Sequence, residues 1–192
     1  IFPLISAFII TLIPKAQEQL IKGFALFSSL ITFVLSAVLL FQFDFSSADK
    51  LQLGNKISWI KSINANYEIG IDGISLPLLG LSTFITVLAI IYSIEHLPEP
   101  KSPKGFLALI LVLETGMNGT FVALDLILFF VFFEIVLLPM YFMIGIWGDK
   151  TVRTVSGFKN QIETRLYASI KFFVFTLFGS AFMLLGFLGL YY

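Results

Sequence analysis

The sequence predicts an all-α, polytopic transmembrane helix bundle of about six helices. Hydrophobic residues make up 58% of the 192 residues and charged residues 12%. The mean hydropathy is +0.97, more apolar surface than a soluble fold of this length can hide. Several apolar runs approach or exceed the roughly 18 residues that read as a spanning helix.

Composition also excludes several classes. With zero cysteines there is no disulfide framework, thiolate metal site or Cys-ligated iron–sulfur cluster. The formal net charge of +0 argues against a basic nucleic-acid-binding surface. Lipid is the expected surrounding, and no nucleic-acid partner is expected. The chain opens on Ile1 rather than Met and closes in the apolar run GFLGLYY. It is therefore expected to be a piece of a longer protein, here treated as a single membrane domain over residues 1–192.

The spans follow in order. The first, about 1–13, is shorter than a bilayer needs and is stopped by Pro14. The second is about 23–43. A polar stretch, Asp44 to Gly70, comes next, with turn-like points at Gly54 and Asn64. The third span is about 73–92, and Asp72 is placed to cap it by accepting from its first free amides. The fourth is about 105–123 and the fifth 126–147. Only Leu124 and Asp125 separate these two, so they form a tight antiparallel pair, with Asp125 a second capping residue. The sixth is about 167–192. Gly179 and Gly186, seven residues apart, share one of its faces and would let another helix approach closely.

Orientation follows from the cations. Lys15, Lys22, Lys101, Lys104, Lys150, Arg153, Lys159 and Arg165 fall in the loops of one side; Lys50, Lys56 and Lys61 fall on the other. The first side belongs in the cytoplasm or its equivalent. The N-terminus and the Asp44–Gly70 stretch then face outward.

Glu134 lies near the middle of LILFFVFFEIVLLPMYFMIGIW. A carboxylate at that depth costs roughly 2.5–3.5 kcal/mol on insertion scales, so a chain that keeps one there ordinarily uses it in a proton or ion pathway. Burial favours the neutral acid and a nearby cation favours the carboxylate, so such a group changes protonation when a partner's charge moves. Pro139, five residues on, has no N–H and clashes with the carbonyl of Ile135, freeing that carbonyl beside Glu134. A freed carbonyl at depth must be covered by water or a polar group, and Tyr141 follows on the same face as Glu134. The alternative is a structural tie between helices with Pro139 as a simple kink. Glu114, midway along the fourth span in LVLETGMNGTF, is the second acid, and Thr115 and Asn118 extend the polar seam that two adjacent acid-bearing spans imply. An interhelical hydrogen bond from a protonated carboxyl explains it equally well. Lys171, in LYASIKFFVF, either snorkels to the headgroups or supplies a cation near a proton path. His96, the single histidine, lies in a polar connection and makes a poor metal site with Glu95 and Glu99. The 23 phenylalanines are lipid-facing or packing residues.

The run LETGMNGTFVALDLILFFVFFEIVLLPMYFMIGIWG resembles the N-terminal half of the antiporter-like M chain, subunit four, of respiratory complex I. YEIGIDGISLPLL and LYASIKFFVFTLFGSAFMLLG resemble the same family's stretches entering the third and sixth helices, though Ser169-Ile170-Lys171-Phe172 departs from its Ala-Thr-Lys-Phe pattern. The resemblance implies part of a roughly fourteen-helix antiporter-like fold that couples quinone reduction elsewhere to proton translocation. It implies that Glu134 is the fifth-helix glutamate, paired with a seventh-helix lysine that would lie beyond Tyr192. Lys171 would be the sixth-helix lysine. It also implies neighbouring antiporter-like and other membrane-arm subunits as partners. Quinone, NADH or ferredoxin, FMN and iron–sulfur clusters would belong to the assembled complex and none to this chain, so any enzymatic label belongs to that complex. The membrane would be a bacterial plasma membrane or an equivalent energy-transducing one. The stretch DKTVRTVSGFKNQIETR is longer than the expected connection of the fifth and sixth helices. A D-type subunit of a multisubunit sodium/proton antiporter and a purely structural membrane subunit are the alternatives, and IDGIS with LLPMYFMIGIWG favours the complex I branch.

Overall fold

Helices occupy all six apolar runs, and a β-hairpin stands between the second and third. The computed structural model describes residues 1–48, 50–63, 65–100, 102–153 and 162–191. Asn64, Lys101, Lys159, Tyr192 and most of the long connection after the fifth helix lie outside the described residues. In chain order the elements are α1 (Phe2–Leu12), α2 (Glu18–Gln42), β1 (Gln52–Ile60), β2 (Ala65–Ile71), α3 (Ser75–Glu95), α4 (Pro103–Val122), α5 (Leu126–Trp147), β3 (Val152–Arg153), β4 (Ile162–Glu163) and α6 (Thr164–Tyr191). The helices from α2 to α6 are long and apolar enough to cross a membrane. The 11 residues of α1 reach only about 16 Å, half of a bilayer core.

α2 begins five residues before the apolar run does. Its first turns carry Lys22, whose Nζ donates to the Ile94 carbonyl at 3.0 Å, and on α4 the Lys104 Nζ donates to Ile13 O at 2.7 Å. Both lysines satisfy carbonyls at the ends of neighbouring helices, which leave such groups free. The cation excess that orients the chain thus also ties the inner ends of α1 and α3 to α4 and α2. α4 starts with Pro103 in its first turn, where a missing N–H costs nothing.

The inner halves of α1 to α4 meet around Ile10, Ile21, Ala25, Ile90, Leu107 and Leu111, all 0–1% exposed. A second apolar cluster, Phe43, Ile71, Leu76 and Leu79, closes the other end beneath the hairpin. α5 packs on α4, and α6 packs mainly on α5 at the bundle's edge.

The polar stretch after α2, expected to hold only turn-like points, folds into a hairpin. β1 and β2 pair antiparallel, with Asn55 opposite Ile69 and Ile57 opposite Tyr67. Gly54, read as a turn, lies inside β1 beside a bulge at which Leu53 takes φ 52°. β2 is the covered strand and β1 the exposed one. β2 is fastened to the turn between α4 and α5: Leu124 N donates to Glu68 O at 2.9 Å, Ile69 bridges Ala123, and Asn66 N donates to Asp125 Oδ2 at 2.9 Å.

Candidate functional site at mid-membrane depth

Asp125 begins the site. Its Oδ1 accepts from the amides of Ile127 and Leu128, capping α5, while its Oδ2 holds the hairpin. The resulting tight turn fixes the register of two antiparallel helices. Glu114 lies eight residues before the end of α4 at Val122, and Glu134 eight residues after the start of α5 at Leu126. At 1.5 Å per residue both stand about 12 Å from the turn, at one depth.

Two glycines let α4 and α5 approach. A Cβ on Gly116 would sit 2.7 Å from Val136 Cγ2 and 3.1 Å from the backbone of Phe132 and Val136, and one on Gly119 would overlap the Phe132 ring. Phe132 and Val136 therefore mark the side of α5 that faces α4. A two-residue step turns a helix by about 200°, so Glu134, midway between them, projects from the opposite side. The same reasoning sends Glu114, two residues from Gly116, to the side of α4 away from α5. The two acids share a depth and not a seam. The polar seam expected of two adjacent acid-bearing spans therefore does not run along their own contact.

Glu114 projects into the space between α4 and the helices α1, α2 and α3. It is 0% exposed, and neither carboxyl oxygen has a hydrogen-bond partner among the described residues. The helices that close over α4 carry hydroxyls. Ser36 and Thr83 are linked Oγ to Oγ1 at 2.8 Å, and Ser82 donates to Asn118 Oδ1 at 3.1 Å. Thr115 donates to Leu111 O and Thr86 to Ser82 O. Asn118 and Thr115 were legible in the sequence, whereas the stripe on α2 (Ser28, Ser29, Thr32, Ser36) and that on α3 (Ser82, Thr83, Thr86) were not read. Their three- and four-residue spacing is the signal that finds them.

Glu134 is half-buried, and its Oε1 is buried without a partner among the described residues. Its stripe continues through Tyr141, whose ring is tilted against that of Phe173 with centroids 5.2 Å apart, to Gly145, whose missing Cβ would lie 3.3 Å from Ser169 Oγ. This stripe faces α6. Pro139 is fully buried, seven residues from Phe132 and so on the α4 side, and α5 runs through it as one helix. Lys171 lies between Ser169 and Phe173 in sequence and therefore on the far side of α6 from α5. It is exposed, with its Nζ 5.5 Å from the centre of the Tyr167 ring. The glycine face of α6 is open: nothing lies within 4 Å of a Cβ built at Gly179, Gly186 or Gly189 among the described residues.

Asp72 does act at the start of α3. Its Oδ1 accepts from Ser75 N at 2.7 Å and Ile74 N at 3.0 Å, and the Ser75 amide foremost holds the carboxyl below its usual range. His96 closes α3 with its ring stacked on Tyr92 at 4.6 Å.

A bundle of apolar helices, five of them long enough to cross a bilayer, defines a multi-pass integral membrane protein. The family model described as NADH-ubiquinone oxidoreductase chain 4, amino terminus, matches residues 1–120, and that described as NADH:quinone oxidoreductase/Mrp antiporter, TM, matches residues 123–192. The chain belongs to the NADH-ubiquinone oxidoreductase chain 4 family. It is 35% identical over 192 residues to NADH-ubiquinone oxidoreductase chain 4 of Marchantia polymorpha, covering 100% of this chain and 36% of the relative. It is 40% identical to the chain 4 of Mycosarcoma maydis, over 100% of this chain and 37% of that one. It is 36% identical to F(420)H(2) dehydrogenase subunit M of Methanosarcina mazei, over 99% of this chain and 35% of that one. The chain thus spans about a third of the length of these relatives.

Proposed function

We propose that this chain is the amino-terminal part of a proton-translocating membrane-arm subunit of a complex I-type quinone oxidoreductase. The observation that carries the reading is the pair of mid-depth carboxyls with unpartnered buried oxygens, in a family of dehydrogenase subunits. Glu134 is the proton-handling group. It stands on a face covered, among the described residues, by α6 alone, where a cation from a further segment or subunit can approach or withdraw. Two unit charges about 4 Å apart attract by roughly 4 kcal/mol at an effective dielectric near 20, so movement of such a cation is enough to switch the carboxyl between holding and releasing a proton. Glu114 is a second proton station. Lys171, on the exposed side of α6, is a cation available to a neighbouring segment. Neighbouring antiporter-like and other membrane-arm subunits are the partners. The electron donor, its flavin and iron–sulfur groups and the quinone belong to other subunits, and the diversity of dehydrogenase names among the relatives leaves the donor open.

The test is Glu134→Gln in the intact assembly, reading proton translocation alongside quinone reduction. Loss of pumping is expected. Full pumping with full quinone reductase activity overturns the reading, and sodium-driven flux that needs no quinone moves the chain to the antiporter branch.

A further inference from the structure

Three contacts fix the register of α6 against α5. A Cβ at Gly145 would lie 3.3 Å from Ser169 Oγ, the Tyr141 and Phe173 ring centroids are 5.2 Å apart, and those of Phe129 and Phe187 are 6.4 Å apart. The helices are antiparallel, so a step back along α5 is matched by a step forward along α6. Counted from Tyr141 and Phe173, the level of Glu134 falls on Ser180. Counted from Phe129 and Phe187, it falls on Phe182. Between these two limits only Ser180 is covered: it is 3% exposed, whereas Ala181 and Phe182 are exposed. Ser180 also stands seven residues from both Phe173 and Phe187, so it projects between two residues that touch α5. Glu134 stands seven residues before Tyr141 and shares its face. The acid and the hydroxyl thus occupy facing positions of one interface at one level.

The hydroxyl is arranged to accept. Ser180 Oγ donates to Leu177 O at 3.0 Å, so its proton is spent on its own helix while its oxygen keeps acceptor capacity. An ionised carboxyl can only accept, and a neutral one carries an O–H to donate. Only the neutral form of Glu134 complements Ser180 so arranged. Glu134 Oε1 is buried without a partner among the described residues, a state in which a polar group seeks one. The other hydroxyls of the interface miss this level. Thr176 lies one turn, about 6 Å, nearer the lysine-rich side, and its hydroxyl donates to Phe172 O. Tyr141 and Ser169 lie further still.

We propose that Ser180 is the partner of Glu134 in its neutral state, its Oγ accepting from the carboxyl O–H when the acid holds a proton and no cation stands beside it. Deprotonation removes the donor, so two acceptors face each other and the carboxylate is left to the cation. Ser180 is a positioning residue that competes with that cation for the same carboxyl. This rests on the reading of Glu134 as the proton-handling group and adds the group that holds it between cation approaches.

The test reads the C=O stretch of the neutral Glu134 carboxyl by infrared difference spectroscopy of the assembled complex, with the band assigned by its loss in Glu134→Gln. In Ser180→Ala the band is expected to move to higher frequency, as for a carboxyl without a hydrogen bond, and in Ser180→Thr to return. Thr176→Val, one turn away, should leave it in place. Ser180→Cys, whose sulfur is a weak acceptor, gives the same upward shift should Ser180→Ala fail to assemble. A band unmoved when the Ser180 hydroxyl is removed, a band moved as far by Thr176→Val, or no neutral-carboxyl band lost in Glu134→Gln overturns the pairing. The band does not depend on turnover, so the two readings fail separately. A band that shifts in a complex whose pumping ignores Glu134→Gln keeps the pairing and removes the proton-handling role. Pumping lost in Glu134→Gln with a band indifferent to Ser180 keeps that role and removes the pairing.

Discussion

Glu114 and Glu134 stand at one depth on antiparallel neighbours, yet the two sides of the α4–α5 contact surround them differently. On the Glu114 side, α1, α2 and α3 close over α4, and hydroxyls from two of them line the space. On the Glu134 side, among the described residues, α6 alone covers α5, and its own outer face is open along Gly179, Gly186 and Gly189. Among the described residues, one acid is enclosed by three helices beside its own, and the other is covered by one. Depth alone therefore does not assign a role to an intramembrane carboxyl; what lies laterally does.

The largest effect that can break this contrast is functional. Glu134→Gln is expected to abolish proton translocation by the assembled complex. Glu114→Gln is expected to reduce it several-fold and leave quinone reduction measurable, because neutralising the second station spares the cation-gated one. Equal losses in both variants, measured as proton uptake per quinone reduced, would erase the distinction between the two sides.

The contrast depends on the α4–α5 contact holding its register. Gly119→Leu drives a branched side chain into the Phe132 ring, and overpacking of this kind costs about 1–3 kcal/mol or more. Thermal unfolding of the full-length protein in detergent should show a clearly lowered midpoint. Leucine at the open Gly186 is the control and should leave the midpoint within error. A sensitive Gly186 would mean that the exposed face of α6 is already covered.

Much of this was legible in the sequence. The apolar runs located every helix to within a few residues, and the two-residue link at Leu124 and Asp125 gave the tight α4–α5 pair because so short a connection has no other geometry. Glu114 and Glu134 announced themselves by their cost. The direction each faces was not legible, because it depends on Gly116 and Gly119 as contact points, and the sequence singled out instead the glycines of α6, which meet nothing. The hairpin was missed because its alternation is short, Lys56 and Ser58 interleaving with Ile57 and Trp59, and because β2 is fastened by backbone bonds to the α4–α5 turn, which no side-chain pattern encodes. The hydroxyls of α2 and α3 went unread because serine and threonine at depth satisfy their donors on their own helix and so look unremarkable one at a time.

Two smaller tests sharpen how the fold sets the register. Asp125→Ala removes both the α5 cap and the acceptor for Asn66, and loss of such a cap costs about 0.5–2 kcal/mol. Amide exchange should quicken in β2 as well as in the first turn of α5. Faster exchange in α5 alone would show that the hairpin is held independently of the turn. Thr83→Val deletes the bond to Ser36 at a cost of about 1 kcal/mol, read as a modest fall in the unfolding midpoint.

The smallest effect concerns the start of α3 and separates a structural acid from the two mid-depth ones. Asp72 is held below the usual carboxylate range, first by the Ser75 amide and then, against some desolvation, by that of Ile74. A depressed carboxyl contributes stability that is fully present above its unfolded value and is lost as pH falls through its lowered folded value. The group is largely solvated, so the contribution is small. Asp72→Asn keeps an acceptor oxygen and a favourable capping residue, so stability at neutral pH should barely change, while the loss on acidification should flatten. Midpoints measured from neutral pH down to the acid range in both proteins decide it. Parallel acid-side curves would place the acid sensitivity elsewhere, and would leave Asp72 holding α3 through backbone geometry rather than charge.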